Sequence, residues 1–396
     1  MSSVRLYHDD AYLRRFEAVI KAVTSHAGKP ALVLDRTAFY PESGGQLGDR
    51  GQLGTWNVLD TQENDAGEIL HIVDAPELPS VGTPIAGEID WLRRRQHMAE
   101  HTAQHLLSGA LLERAQAETV SARLGESALT IDVQRDRIPE AELAAAETLA
   151  NDLVDDDLAI RAFFPEPAEF TALPLRRTPK VTDNIRVVAI GDFDLSPCGG
   201  THCARTAQLG AVRITSVERY KGMTRVTFTT ARRGRQELFA HEQTLKKLAS
   251  ELSCSPSEVS GALERLRREL EAGSAQLGDM RGQLAQLLAA QLIAAAPAEV
   301  IAQVSGDVEL LRSIAAKICV EGRDAILCAP LAAASAVVLM RAPGSKLDCA
   351  KLWKQLATQL QGRGGGRPER VEGKLNAPIS DWQQAVAAAL RAIHHS

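Results

Sequence analysis

The chain has 396 residues, 45% of them hydrophobic, and a formal net charge of −5 at pH 7. This size allows two to four domains with cores of their own, and the mild acidity excludes a protein that is basic over its whole surface. A nucleic-acid partner would therefore bind through local basic patches.

The cellular compartment of the protein and the redox state of its cysteines can be predicted from features that the sequence lacks. No run of about 18 apolar residues occurs, and the first residues show no signal-peptide character, so we expect no membrane span. Six cysteines do not make a disulfide framework in a chain this long. These features favour the cytoplasm as the location.

Residues 1–90 are rich in short strand-like runs with turn residues between them. The runs are residues 29–40, 51–62, 67–75 and 84–91. Between the first two lies the glycine-rich stretch PESGGQLGDRG, which we expect to be a loop. Regular strands of this kind predict a small β-barrel.

Residues 91–234 mix helical and strand-like patterns and predict an α+β domain. The predicted helices are residues 92–115 and 139–158, and the predicted strands are residues 127–135, 185–197 and 211–231.

Residues 235–295 show a heptad-like apolar seam after a helix start at Ser255-Pro256-Ser257-Glu258. The seam runs Val259, Leu263, Leu266, Leu270, Gly273, Leu277, Met280, Leu284 and Leu287. Its alternating steps of four and three are typical of a coiled coil. We predict an antiparallel helical hairpin acting as a spacer, with Leu245, Leu248 and Leu252 on the shorter helix. The alternative is a helical dimer through the same seam, which leaves the oligomeric state open.

Residues 296–396 predict a small α/β domain. Residues 324–331 and 335–343 are buried-type strands, residues 348–361 are a helix, residues 362–370 are a loop, and an amphipathic helix containing Trp382 comes last. The fold class predicted for the whole chain is therefore α+β multidomain.

Two short motifs predict a metal site in the second domain. His101 and His105 are four residues apart on a predicted helix, so both imidazoles lie on one face, one turn apart. Cys198 and His202 flank two glycines, which let the backbone fold tightly enough for both side chains to point one way. Three imidazoles and one thiolate favour Zn²⁺ in a tetrahedron.

Other arrangements of these residues are open. His97 lies one turn before His101, and Cys203 follows His202, so either could replace a ligand. The histidines could also be a surface pair beside a buried cysteine, or the zinc could be purely structural, since four protein ligands normally close a site. A zincin is excluded in its usual form, because Thr102 rather than glutamate follows the first histidine.

The motifs resemble a known family. HTAQH followed by CGGTH is similar to the editing domain of alanyl-tRNA synthetases, and DRTAFYPESGGQLGDRG, TVSARLGESALTIDV and GRGGGRPERVEGKL resemble its flanking segments and its C-terminal domain. The order matches over about residues 5–395. We expect no class II aminoacylation domain before these motifs, so the chain resembles the free-standing alanyl-tRNA editing proteins in their long form. The resemblance implies that residues 296–396 are a DHH-associated domain.

The resemblance also implies a reaction, the hydrolysis of alanine-tRNA wrongly charged with serine or glycine. Such errors need a second, hydrolytic site, because a pocket for alanine rejects these amino acids only weakly. Thr37 matches the threonine that reads the serine hydroxyl in this family, although an ordinary strand threonine is the alternative. Gly44 and Gly45 are expected to approach the RNA 3′ end and Gln46 to be catalytic, by analogy with the Gly-Gly-Gln of release factors. Gln104 completes the expected substrate-binding set.

Three arginines of the C-terminal domain, Arg363, Arg367 and Arg370, are the predicted tRNA contacts. The leading prediction is thus a Zn²⁺-dependent aminoacyl-tRNA deacylase acting in trans. Two rivals are a noncatalytic zinc module that binds tRNA or a synthetase, and a zinc hydrolase of another ester.

Overall fold

The computed structural model describes residues 3–75, 77–178, 184–296 and 299–394. It divides into two compact units, Met1–Leu245 and Lys246–Ser396. Residues 1–2 and 395–396, at the ends of the first and last predicted domains, lie outside the described residues. The division into four domains stays a prediction. None of the described helices is both long and apolar enough to cross a membrane.

A closed six-stranded barrel begins the first unit, in the order β2-β3-β7-β6-β5-β8. Its region contains β1 (Val4–Arg5), α1 (Leu6–Asp9), β2 (Arg15–His26), β3 (Lys29–Leu34), β4 (Arg36–Thr37), β5 (Gly51–Leu53), β6 (Trp56–Glu63), β7 (Ile69–Val73) and β8 (Pro84–Ile89). The predicted barrel is confirmed. The sequence analysis missed β2, although Phe16, Ala18 and Ile20 alternate with exposed residues, which is the pattern of a strand with one buried face.

The rest of the first unit packs two sheets and two long helices together. Its elements are α2 (Trp91–Ala115), β9 (Thr119–Leu124), β10 (Leu129–Val133), α3 (Glu140–Asp155), β11 (Ile160–Phe163), α4 (Pro167–Phe170), β12 (Val187–Ile190), β13 (Asp194–Pro197), β14 (Val212–Tyr220), β15 (Met223–Thr230) and α5 (Ala231–Glu251). One sheet has the order β14-β15-β10-β9 and the other β11-β12-β13. Helix α2 lies in the core between them, where Met98, Leu106 and Leu107 are fully buried.

A buried ion pair joins the barrel to α2. The Arg94 Nε donates to both carboxylate oxygens of Asp49 at 3.1 and 2.9 Å, and both side chains are completely buried. Arg94 also donates to the carbonyls of Ala11 and Ala38. Removing either partner would leave an uncompensated charge in the interior. The pair therefore fixes the position of the glycine-rich loop against helix α2.

The apolar seam of the long helix is exposed. Helix α6 (Val259–Ala295) has 37 residues, and its seam side chains Leu263, Leu266, Leu270, Leu277, Met280, Leu284 and Leu287 are between 46% and 71% exposed. This contradicts the predicted hairpin packing along these positions. Helix α6 is instead buried at Ala285 and Ala289, which pack in one core with residues of helix α7 (Val308–Val320). The helical dimer stays a prediction.

The second unit is completed by a five-stranded sheet with helices on both faces, in the order β16-β17-β18-β20-β19. Its remaining elements are β16 (Val300–Gln303), α7 (Val308–Val320), β17 (Ala325–Leu331), β18 (Ala334–Met340), α8 (Cys349–Leu360), β19 (Gly362–Arg367), β20 (Arg370–Leu375) and α9 (Trp382–His394). Leu327 on β17 packs with α7, and its neighbours Ile326 and Cys328 pack with α8 and α9. The predicted α/β layering of this region is confirmed.

The predicted loop 362–370 is instead an edge strand and a turn. Residues Gly362–Arg367 form β19, which pairs antiparallel with β20. A side chain at Gly373 would lie 2.1 Å from the Trp353 ring, and one at Gly362 would lie 3.0 Å from it. Gly362 and Gly373 therefore let the indole of α8 pack directly on the strands, whereas a Cβ at Gly364 or Gly366 would lie 2.4 or 2.1 Å from a backbone carbonyl of β20.

Candidate metal centre

Two of the predicted ligands lie on α2. The helix begins at Asp90, whose side chain accepts a hydrogen bond from the Arg93 N–H, and it continues unbroken to Ala115. His101 and His105 are 3% and 5% exposed, and their ring centroids are 5.1 Å apart. The predicted i, i+4 arrangement on one helix face is confirmed.

The other two ligands lie on the turn that follows β13. The Arg186 Nη1 donates to the carbonyls of Cys198 and Gly200 at 3.2 and 2.7 Å and so holds this turn. A Cβ at Gly200 would lie 2.2 Å from Cε1 of His101, so only glycine lets the turn approach the helix this closely. His202 then faces His101, with ring centroids 4.4 Å apart.

The four side chains converge on one point. One ligand atom from each of His101, His105, Cys198 and His202 lies within 4.8 Å of the others. The Cys198 Sγ is 3.4 Å from Nε2 of His101 and 3.3 Å from Nε2 of His202. A tetrahedral zinc with ordinary bond lengths would separate sulfur and nitrogen by about 3.5 Å. The residues therefore fit such an ion.

Each imidazole is held by its other nitrogen. The Nδ1 of His101 lies 2.7 Å from Gln46 Oε1, and the Nδ1 of His105 lies 3.4 Å from Asp194 Oδ2. Partners of this kind orient metal-binding histidines and set which nitrogen faces the ion. In both rings Nε2 is left for the metal.

The third histidine is oriented by a hydroxyl. The Thr102 hydroxyl donates to the Met98 carbonyl at 2.8 Å, so towards the Nδ1 of His202, 3.2 Å away, it acts as an acceptor. It also accepts from the Cys203 N–H at 3.1 Å. These contacts direct the Nε2 of His202 towards the other three side chains of the cluster. Thr102 is also the residue whose presence after His101 excludes a zincin.

Protonation in the cluster suits a metal. Burial alone would raise the pKa of the Cys198 thiol, but the three surrounding imidazoles outweigh it and lower the pKa well below its usual value. Burial and His101 lower the pKa of His202 to about 3. Burial opposes protonation of His105 as well, yet Cys198 and Asp194 raise its pKa to about 9. A thiolate and a neutral imidazole are the forms that bind metal, so binding would displace the proton of His105.

Three members of the cluster, His101, His105 and Cys198, line a cavity of about 850 Å³, which we call the metal-site cavity. Gly44 and Gly45, with φ of +59° and +89°, form part of its wall, and Gln104 lines it too. The described residues that line it include four arginines, Arg5, Arg176, Arg177 and Arg186, and one carboxylate, Glu63. The cavity is therefore positively charged.

Two of the predicted pocket residues do not line this cavity. Thr37 is fully buried, with Oγ1 2.8 Å from Nε2 of His71, and it accepts from the Phe39 N–H at 3.0 Å. Gln46 is fully buried as well, where its Nε2 donates to Thr201 Oγ1 at 2.8 Å. Neither side chain has a free polar group to offer a substrate.

The two alternative ligands lie outside the cluster. His97 is buried, and burial together with Arg93 lowers its pKa to about 4. Cys203 is buried too, which raises the pKa of its thiol to about 12. Sequence reasoning missed Asp194, Arg176 and the orienting role of Thr102. Nothing in the local pattern indicates them, because they reach the centre only through tertiary packing.

Comparisons with models of known protein families indicate the class of protein that the chain resembles. Residues 185–227 match the family model "Threonyl and Alanyl tRNA synthetase second additional domain", which covers the Cys198 turn. Residues 11–93 match "tRNA synthetases class II (A)", which covers the barrel. The barrel and the metal centre thus resemble parts of class II tRNA synthetases.

Individual relatives narrow the class. The chain is 29% identical to "Alanyl-tRNA editing protein AlaX-L" of Pyrococcus horikoshii, over 94% of this chain and 95% of the relative. It is 32% identical to the alanine–tRNA ligase of Thermococcus kodakarensis and 31% identical to that of Halobacterium salinarum, covering 94% and 81% of this chain. It spans 42% and 37% of those ligases. These matches confirm the predicted resemblance to alanyl-tRNA editing proteins.

Proposed function

We propose that the chain is a trans-acting deacylase that hydrolyses the ester of alanine-tRNA mischarged with serine or glycine. One observation carries the proposal, the convergence of His101, His105, Cys198 and His202 on one point, with the first three of them lining a positively charged cavity. The full-length similarity to an alanyl-tRNA editing protein supports the same reaction. The cytoplasm is the proposed location, and all six cysteines are free thiols, as a reducing compartment requires.

Zn²⁺ is the proposed ion, because three imidazoles and a thiolate are a donor set that zinc prefers. A bound Zn²⁺ would supply Lewis-acid polarisation of an oxygen of the substrate. Four protein donors leave no open position in an ordinary tetrahedral site. A substrate oxygen would therefore need a fifth coordination position, in which the ion would hold and polarise the aminoacyl end.

The chain's own residues have separate tasks in this proposal. Gln46, expected from the sequence to be catalytic, becomes a positioning residue, because its amide oxygen accepts from His101 and from the Thr201 N–H at 2.7 and 3.2 Å. Gly44 and Gly45 expose bare backbone to the cavity. Gln104 is the polar side chain on α2 placed to contact the amino acid, and its Nε2 already donates to Ser108 Oγ.

The arginines give the cavity its preference for RNA. Arg177 is half-buried and donates to the Val120 carbonyl at 3.3 Å, and Arg176 is held by the Asp194 carboxylate that also lies near His105. Such cations would attract the phosphate next to the terminal ribose. One arginine–carboxylate–histidine chain thus links the phosphate-facing side of the cavity to the metal centre.

The C-terminal arginines are proposed to bind a second part of the tRNA. Arg363 and Arg367 are exposed on the same face of β19, and Arg370 lies opposite Arg367 across the strand pair. Arg370 forms an ion pair with Glu372, so Arg363 and Arg367 are the stronger candidates for contacts with tRNA. Binding at two places raises the effective concentration of the 3′ end without changing its chemistry.

The deciding experiment measures ester hydrolysis by the purified full chain. Serine- and glycine-charged alanine-tRNA should be deacylated, correctly charged alanine-tRNA should be spared, and a chelator should abolish turnover. Cys198→Ser should lose the metal and the activity. Its matched control is Cys254→Ser, because that half-buried cysteine lies between α5 and α6, far along the chain from the cluster.

Two outcomes would contradict the proposal. Tight tRNA binding without hydrolysis of either ester would favour the noncatalytic tRNA-binding module. Equal hydrolysis of serine esters on tRNAs of several identities would favour a general ester hydrolase.

A further inference from the structure

A second cavity, of about 1140 Å³, lies beside the glycine-rich loop, and we call it the lateral cleft. It is lined by residues of the barrel, of the β9–β10 turn and of β14 and β15, among them Lys29, Arg50, Arg123, Tyr220 and Arg225. The sequence analysis assigned no function to these residues. Gly45 lines both this cleft and the metal-site cavity.

The partition between the two cavities is one layer of backbone. The Leu124 N–H donates to the Gly45 carbonyl at 2.9 Å, which joins the loop to β9. A Cβ at Gly45 would lie 2.6 Å from the Ala122 carbonyl oxygen, so this position of the partition has no room for a side chain. Ala122 lines the metal-site cavity and its neighbour Arg123 lines the lateral cleft, as alternation along a strand requires. A strand of RNA leaving the metal-site cavity over the glycines would therefore arrive beside Arg123.

The lateral cleft carries more positive than negative charge. Its lining side chains include five cations, Lys29, Arg50, Arg93, Arg123 and Arg225, and three carboxylates, Glu42, Asp60 and Glu126. Glu126 already pairs with Arg50 and Arg93 at 3.0 and 3.1 Å. Lys29 and Arg123 are exposed, and neither forms an ion pair within the described part of the chain. In a protein of net charge −5, this is the local basic patch that an anionic ligand needs.

The cleft also contains an arginine side chain that lies over an aromatic ring. The guanidinium carbon of Arg225 lies 3.5 Å from the centre of the Tyr220 ring. The Asp132 carboxylate fixes this guanidinium through hydrogen bonds of 2.7 and 2.9 Å. Planar groups held in this way are the surfaces on which unpaired RNA bases stack.

We propose that the lateral cleft binds the single-stranded nucleotides that precede the aminoacylated 3′ end. Arg123 and Lys29 contact their phosphates, and the Tyr220–Arg225 pair receives a base. The inference rests on the proposed function, since it extends the same substrate from the metal-site cavity into its neighbour.

A binding experiment tests the cleft without using hydrolysis. The probes are an uncharged RNA hairpin with a four-nucleotide single-stranded 3′ tail and the same hairpin with a blunt end. The wild-type full chain should bind the tailed hairpin more tightly. Arg123→Glu should remove most of that difference, weaken binding of the tailed hairpin about tenfold, and reduce the slope of log K against log salt by about 1.

Two further variants separate the contacts from folding. Arg161→Glu reverses a charge on β11, exposed but outside both cavities, and should bind RNA like the wild type. Tyr220→Ala should weaken tail binding by roughly 5- to 100-fold, the usual loss when one stacked base is released. Unchanged melting temperatures would show that both variants are folded.

Several results would overturn the inference. Equal binding of tailed and blunt hairpins by the wild type would do so, and so would equal binding by Arg123→Glu and Arg161→Glu. If the cleft instead docks an acidic protein, Arg123→Glu leaves RNA binding unchanged, which also refutes the proposal. A hydrolysis assay keeps the two proposals apart. Turnover by Arg123→Glu with an unaltered KM contradicts the cleft alone, whereas absent turnover in a wild type that still prefers the tail contradicts the deacylase alone.

Discussion

The sharpest test of the metal centre is the substitution Gly200→Ala. A Cβ at this position would lie 2.2 Å from Cε1 and 2.4 Å from Nδ1 of His101, and 3.1 Å from Oε1 of Gln46. Ordinary contacts between such atoms are about 3.5 Å. The His101 ring would therefore have to move by about 1 Å, away from both its amide partner and the shared centre.

Metal sites do not tolerate that displacement. Ligand distances are fixed to within about 0.2 Å, so a shift of about 1 Å removes His101 from the ligand set. Loss of a mere orienting partner weakens metal binding about 10- to 100-fold, and loss of the ligand itself should exceed that range. We expect the Kd for Zn²⁺ to rise at least about 100-fold, measured by competition with a chelating indicator.

The neighbouring glycine supplies the matched control. A Cβ at Gly199 would meet no atom within 4 Å, so Gly199→Ala should bind Zn²⁺ like the wild type. Melting curves of the metal-free proteins would show whether either change unfolds the chain. If Gly200→Ala kept wild-type affinity and one Zn²⁺ per chain, the packing of this turn against His101 would be refuted.

Three other predictions follow from buried hydrogen bonds. Gln46→Leu removes the acceptor of the His101 Nδ1–H and should weaken Zn²⁺ binding about 10- to 100-fold in the same titration, whereas unchanged affinity would contradict its positioning role. Thr37→Val strips partners from His71 and from the Phe39 N–H, so urea unfolding should show a loss of about 1–3 kcal/mol. Serine and glycine esters should then be hydrolysed in the wild-type ratio, and a selective loss on serine would instead make Thr37 a substrate contact. Burial lowers the pKa of His71 to about 4. The unfolded chain then binds the extra proton below pH 6.5, so His71 should contribute about 3 kcal/mol to the loss of stability from pH 6.5 to pH 4, and His71→Leu should make the pH dependence shallower by about that amount.

The sequence by itself predicted the four clustered side chains and most of the secondary structure around them. His101 and His105 could be paired because helical geometry puts residues four apart on one face. Cys198 and His202 could be paired because two glycines between them permit a tight turn. Both inferences need only neighbours along the chain, and the cluster His101, His105, Cys198 and His202 confirms them.

Tertiary structure decided what each residue does. The sequence predicted Gln46 and Thr37 as pocket residues. In the structure Gln46 is hydrogen-bonded to His101, and Thr37 is hydrogen-bonded to His71. The seam of α6 has the coiled-coil pattern, yet it is exposed, and the helix packs with α7 through Ala285 and Ala289 instead. The glycines of β19 resemble a loop, yet they pair with β20 in a sheet, and Gly362 lies beneath Trp353.

The physical reason is the range of the interactions involved. Periodicity and turn chemistry act over about four residues, so they specify helices, strands and ligands that are close in sequence. Asp194 lies 89 positions from His105 and Gln46 lies 55 from His101, and such pairs meet only when separate elements pack together. A buried polar group takes whichever partner the packing brings within reach, and the local sequence does not encode that choice.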